Sequence, residues 1–275
     1  MDTTLDYPSL DTHKEKEDAP GILASRISAA MHLTKLALPK TEVAQYAKTR
    51  GFSQRLTTNY LVHSVMAEAF SGCPSPFDVQ DKGRLLRILF YSDEDADALH
   101  SHAQVGASPE AYEAIRWDER ASKPMPDQFP MDMTLQFEVR ACPVIRKASA
   151  GEGKNADGER RTWEEGDELD AFLARQWTSD NPLSREEVYC DWLERQFRSR
   201  GSAEPQAIAL GGFTLTEMTR RGGGDDRSVK TMQRPDVTLK GKLQITDGKA
   251  FTELLRSGLG RHKSFGYGML KVRPD

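Results

Sequence analysis

Apolar positions recur along this chain with two spacings, one near 3.6 residues and one near 2. The longer period marks helices at residues 60–70, 109–115, 185–198 and 247–257. The first opens behind Thr57-Thr58-Asn59, a group able to cap a helix, and carries Leu61, Val65, Met66, Ala69 and Phe70. In the third, Val188, Trp192, Leu193 and Phe197 form one face. Alternation or short apolar runs predict strands at 32–38, 84–91 and 133–147, with Pro143 at an edge or bulge. A shorter strand is expected near 98–104. Further strands at 206–220 and 235–245 flank the tip Arg220-Arg-Gly-Gly-Gly-Asp-Asp-Arg-Ser-Val-Lys230, and 265–272 reads as the last strand.

This order is βαββαβ-like in the first half and helix–strand–strand–helix–strand in the second. It predicts an α+β protein of two tandem ferredoxin-like (RRM-like) βαββαβ domains with a groove between them. The expected boundaries are a flexible N-terminal extension at 1–30, a first domain at 31–147, a mobile linker or insertion at 148–184 with a short helix near 168–177, and a second domain at 185–275.

Composition narrows the functional classes. A length of 275 residues suits about two domains. No apolar run is long enough to span a bilayer, and residues 1–30 lack the apolar core of a signal peptide, so a cytoplasmic protein without membrane attachment is expected. Cys73, Cys142 and Cys190 lie far apart and form neither a disulfide framework nor a zinc motif. The net charge of −4 hides an uneven division: residues 205–275 hold 13 Lys and Arg against 7 Asp and Glu. A basic C-terminal part on an acidic chain points to a local face for a polyanion.

The richest segment is Gly258-Leu-Gly-Arg-His-Lys-Ser-Phe-Gly-Tyr-Gly268. Gly258, Gly260, Gly266 and Gly268 let the backbone approach a phosphate where side chains would obstruct it. The loop follows a helix instead of opening one, which argues against a Walker loop and a dinucleotide fingerprint. Tyr60 and His63 are three apart on a predicted helix and share a face. Histidine moves protons near neutrality, and an RNA strand brings its own nucleophile, the 2′-OH. Such a reaction needs a proton carrier and a positive group beside the phosphorane, and Lys35 or Lys263 could be that group. Packing at the core border is the competing reading for both Tyr60 and His63. His100 and His102 form an HxH without a matching third ligand, so no metal site is expected.

Four segments, in order, resemble the CasE family, the repeat-processing endoribonucleases of type I-E CRISPR systems. They are Met31-His-Leu-Thr-Lys-Leu-Ala-Leu38, Asn59-Tyr-Leu-Val-His-Ser64, Phe137-Glu-Val-Arg-Ala-Cys-Pro-Val144 and the glycine loop through Leu270. Cys142 stands where the family usually has Asn. The resemblance implies metal-independent cleavage of precursor CRISPR RNA at the base of each repeat hairpin, with a 2′,3′-cyclic phosphate product and no cofactor. It implies His63 as the proton-transfer residue with Tyr60 as its partner. It places the family's basic hairpin on Arg220 and Arg221, flanked here by Arg227 and Lys230, and a helix contact to the RNA backbone on Arg195. Lys263 in the glycine loop joins this RNA-binding set. The implied partners are the CRISPR repeat RNA hairpin, the mature crRNA and other Cascade subunits, with no small-molecule substrate. The alternative is a non-catalytic crRNA-binding subunit of the same type of complex. A metal-dependent nuclease built on His100 and His102 is the third reading.

Overall fold

The structure, a computed structural model, describes residues 30–52, 56–221 and 229–275, with backbone only at 220, 221, 229 and 230. Apart from Ala30, the expected N-terminal extension lies outside the described residues.

The first unit runs β1 (His32–Pro39), α1 (Lys40–Thr49), α2 (Thr58–Ala69), β2 (Phe77–Lys82), β3 (Leu85–Ser92), α3 (Ala96–Gly106), α4 (Pro109–Glu113) and β4 (Ala121–Pro124). Its antiparallel sheet has the order β2-β3-β1-β4, the ferredoxin-like arrangement in which the first and third strands are central. Leu36 and Leu38 of β1 meet Val62, Val65 and Met66 of α2 in one core. Alternation sends Leu33 to the opposite face of the sheet, where it packs against the core of the second unit.

The second unit begins with β5 (Thr134–Ala141). It continues through α5 (Ala171–Gln176), α6 (Arg185–Arg200), β10 (Ala203–Arg221), β11 (Val229–Ile245), α7 (Gly248–Ser257) and β12 (Leu270–Pro274). Its sheet order, β10-β11-β5-β12, repeats the ferredoxin-like pattern. Phe137, Val139, Trp192, Leu193, Phe197, Leu239 and Leu254 are among the buried residues of its core. The units are joined by more than the chain: the Tyr91 hydroxyl donates to the Leu270 carbonyl at 2.9 Å, and Lys271 Nζ reaches Asp78 at 2.8 Å and Glu138 at 2.7 Å.

Several expectations change. The strand expected in the first domain at 133–147 ends at Ala141 and lies in the second sheet, paired with β11 and β12. After Pro143 the chain leaves that sheet as β6 (Val144–Arg146), which pairs with β9 (Glu168–Asp170). The intervening segment folds back as a hairpin of β7 (Gly151–Lys154) and β8 (Arg160–Trp163). Residues 148–184 therefore carry ordered pairing as well as the short helix expected there. They form an insertion within the crossover from β5 to α6 of the second unit.

The strand expected at 98–104 is helix α3. Asp95 caps it by accepting from the Asp97 and Ala98 amides at 3.1 and 2.8 Å, and Ala96, Leu99 and Ala103 bury one face. The last strand starts at Leu270; residues 263–265 form a 3-10 turn instead.

Candidate nucleic-acid interface

Helix α2 is fixed at its start by the Thr57 hydroxyl, which accepts from the Tyr60 amide at 3.4 Å. Its inner face, Val62, Val65, Met66 and Ala69, is fully committed to the first core. His63 falls off that face toward the second unit. Its ring packs against Phe265, with centroids 5.5 Å apart at 31°. Burial lowers the proton affinity of the imidazole below its ordinary value, opposed by the Ser264 backbone. Its Nδ1 is buried without a hydrogen-bond partner among the described residues. The result is an imidazole at the junction of the two units whose charged form is disfavoured and whose Nδ1 has no partner among the described residues.

Tyr60, one turn earlier, is half-buried and packs edge-on against Phe52 with centroids 6.0 Å apart. Among the described residues, no hydrogen bond joins its side chain to that of His63. Sharing a helix side has therefore not made the two a bonded pair. Lys35 lies on the Leu33 face of the first sheet, away from the core that α2 covers, and among the described residues no hydrogen bond joins it to His63.

The glycine loop brings the second unit to His63. Gly258, Gly260, Gly266 and Gly268 all have positive φ, between 66° and 82°. At Gly268 a Cβ would lie 2.2 Å from the Leu259 carbonyl oxygen, so the two arms of the loop touch only because the position is glycine. The Leu259 amide donates to the Gly268 carbonyl at 2.9 Å, and the Gly268 amide donates to the Arg140 carbonyl at 2.7 Å. The glycines thus serve close packing of the loop on its own unit and on Pro76 of the first. Phe265 also packs against a small cluster of Cys142, Val144, Met218 and Tyr267. Lys263 donates from Nζ to the Ser257 carbonyl at the end of α7, at 2.7 Å. Burial first, and Arg200 second, lower its proton affinity.

Around this loop lies a cleft of about 870 Å³, lined by Arg146, Glu168, Arg234, Arg261, His262 and Lys263 among others. It shares Arg146, Gly260 and Arg261 with a second groove of about 450 Å³, whose wall includes Arg175 and Arg195. Arg195 is exposed, and its Nε donates to the Asp191 carbonyl of its own helix at 3.2 Å. Arg146 is exposed with no ion pair among the described residues. A row of cations thus runs from α6 to the glycine loop. Sequence reasoning picked Arg195 and Lys263 and missed Arg146, Arg175, Arg234 and Arg261, whose signal is placement and not spacing.

The hairpin of β10 and β11 keeps its pairing out to Arg220 opposite Lys230 and Arg221 opposite Val229. Arg227 lies outside the described residues. The HxH reading fails on helix geometry. His100 Nε2 lies 2.8 Å from the Tyr112 hydroxyl inside an aromatic cluster with Trp117, while His102 is exposed beside Glu94 at 3.0 Å. Among the described residues, no three His, Cys, Asp or Glu side chains are grouped to hold a metal. No described helix is long and apolar enough to cross a membrane.

A family described as CRISPR associated protein matches residues 31–274. The chain belongs to this family. No curated protein matches the sequence. Among solved structures, a CRISPR endoribonuclease Cse3 bound to a 19 nt RNA superposes with a TM-score of 0.56 at 21% identity, covering 88% of this chain and all of the other. Cse3 of Thermus thermophilus, bound to an RNA representing a pre-cleavage complex, gives 0.55 at 20% identity, with 89% and 100% covered. The CRISPR-associated protein Cas6e of Escherichia coli K-12 gives 0.54 at 18% identity, with 88% and 99% covered. The family assignment and the tandem ferredoxin-like fold agree with the resemblance drawn from the four sequence segments.

Proposed function

We propose that this protein is a metal-independent endoribonuclease that cuts precursor CRISPR RNA at the base of its repeat hairpin and keeps the mature crRNA as a subunit of a Cascade complex. The observation that carries this reading is His63. Burial disfavours its charged form, Nδ1 has no partner among the described residues, and the ring packs on Phe265 of the loop that lines the cation-rich cleft.

A neutral imidazole is the form able to accept a proton. His63 takes the proton of the 2′-OH at the cut site, and the 2′-oxygen attacks the adjacent phosphorus. The bond from phosphorus to the 5′-oxygen breaks, and the leaving oxygen takes a proton from the imidazolium so formed. The products are a 2′,3′-cyclic phosphate and a 5′-hydroxyl. Cations along the cleft offset charge on the phosphorane. Tyr60 holds the attacking hydroxyl or the phosphate once RNA draws it from Phe52. Arg195, Arg220, Arg221, Arg227, Lys230 and Lys263 supply contacts to the RNA backbone. A-form RNA has a deep, narrow major groove, so recognition leans on the stem's shape, its phosphates and its unpaired ends.

The test is incubation of the purified protein with its own CRISPR repeat RNA in EDTA. His63→Ala and a repeat carrying 2′-deoxyribose at the cut site serve as controls. One cut at the hairpin base, absent from both controls, is expected. Tight binding without a cut would instead favour a non-catalytic crRNA-binding subunit.

A further inference from the structure

Glu168 is an acidic side chain on the wall of a cleft otherwise rich in cations. It lies on β9 of the insertion, directly opposite Arg146 of β6. Its backbone surroundings are fixed by neighbouring bonds: the Lys147 amide donates to the Asp167 carbonyl at 2.9 Å, and the Ala171 amide to the Pro143 carbonyl at 2.9 Å. Three cationic or titratable side chains converge on its carboxylate. Arg261 donates from Nε to Oε1, His262 Nε2 lies 3.0 Å from Oε2, and Arg234 lies 3.6 Å away. The carboxylate is only 16% exposed, so these contacts are little screened by solvent.

His262 occupies the left-handed region at φ 58°, an uncommon conformation for a residue with a side chain. It immediately precedes the 3-10 turn of residues 263–265, whose Phe265 packs on His63. A physical path therefore runs from Glu168 through Arg261 and His262 to the turn, and from the turn to the imidazole.

An acidic group is a poor choice for binding RNA, because it lowers the positive field of the cleft. It is a good choice for holding Arg261 and His262, which lead into that turn, in one arrangement. We infer that Glu168 is a positioning residue: it pins Arg261 and His262 so that the 263–265 turn seats against His63 for the cutting step. This inference rests on the endoribonuclease reading of the same site.

Glu168→Gln keeps the size of the side chain and removes its charge. The wild-type protein and this variant would be compared by hydrogen exchange of the peptide covering residues 259–268, by RNA affinity, and by single-turnover cleavage at saturating repeat RNA. Exchange in the loop should quicken by about ten-fold. Cleavage should slow by about ten- to a hundred-fold, as a displaced reacting group requires. Affinity should stay level or tighten, since a negative charge has left the cleft.

Unchanged loop exchange would overturn the positioning role, even if the wild-type protein cut no RNA. Parallel loss of affinity, cleavage and melting temperature would overturn it too, by reducing Glu168 to a fold-stabilising contact. Absence of cleavage in the wild-type protein, with faster loop exchange in the variant, would sink the endoribonuclease reading and leave the pinning contact standing.

Discussion

The ring of His63, on a helix of the first unit, packs on the ring of Phe265, in a loop of the second, with centroids 5.5 Å apart. Neither unit alone sets the environment of this histidine. Phe265→Ala should lower the melting temperature, with a cost of about 2 kcal/mol, below the range for a fully buried Phe because this one is only partly buried. Water would reach the imidazole, and single-turnover cleavage should fall by about ten-fold or more. The hairpin RNA should bind within about three-fold of wild type, since no cation able to meet a phosphate is removed. Equal losses in binding and cleavage would contradict this division.

Burial lowers the proton affinity of His63, and this fixes the sign of two pH effects. Only the neutral ring accepts the 2′-OH proton. Cleavage should therefore rise with pH and level off below the ordinary imidazole pKa of about 6.5. Stability should follow the same direction. Above pH ~6.5 the ring is neutral in both the folded and unfolded chain and contributes no pH dependence. As pH falls below that point the unfolded chain binds the proton first, and stability drops until the folded pKa is passed. His262 is shifted the same way, so the His63 share is the difference between wild type and His63→Gln across pH 4 to 8. A cleavage profile that levels off only above pH ~7 would count against His63 as the base.

Helix α2 and its histidine were legible in the sequence because Thr57 caps the helix and the 3.6-residue period continues through Met66. The same holds for α6, α7 and the long β10–β11 pair. Sheet membership was not legible. Residues 134–141 alternate like any half-buried strand, and nothing in alternation says which sheet a strand joins. Helix α3 was read as a strand although Asp95 gives it a cap, because its run of small residues and histidines has little apolar signal. Glu168 left no mark at all: in an acid-rich stretch one more carboxylate has no pattern, and only folding brings it to Arg261 and His262. Lys263, expected from the sequence to bind RNA, lines the cleft, but its ammonium already serves the Ser257 carbonyl.

Gly268→Ala tests whether the loop's shape is obligatory. Its φ is 80°, and the added methyl would meet the Leu259 carbonyl oxygen at 2.2 Å. The nearest atom belongs to backbone, which cannot swing aside as a side chain could, so a loss of about 2 kcal/mol or more is expected, measured by thermal or denaturant unfolding. Gly158→Ala is the control: its φ is also positive, yet a Cβ there meets nothing within 4 Å. It should cost about 1 kcal/mol, the conformational term alone.

Arg220 and Arg221 end the described part of β10, paired with Lys230 and Val229. If they contact RNA phosphates, changing both to Ala should weaken repeat binding and flatten its dependence on salt. The slope of log K against log salt should shrink by about one to two, the value for two lost phosphate contacts. Cleavage at saturating RNA should change little, because a lost phosphate contact weakens ground-state binding and saturation restores the complex. An unchanged slope would remove these two residues from the RNA-binding set.

Lys271 joins the units through Asp78 of the first, whose side chain is only 5% exposed, and also pairs with Glu138 of its own sheet. Asp78 also accepts from Gln80 at 3.1 Å, a neutral contact that cannot offset its charge. Lys271→Met would remove the cation bonded to a carboxylate buried at the junction, leaving it only the longer-range field of Arg140, and a loss of about 3 kcal/mol is expected. The damage lies in the stranded charge, so the double change Asp78→Asn with Lys271→Met should recover most of it. A double-mutant cycle read by denaturant unfolding decides the matter. If the single and double variants unfold alike, the bridge contributes packing and not charge. Cleavage should fall with stability in the single variant, because the same junction holds β2 and Pro76 against the glycine loop that faces His63.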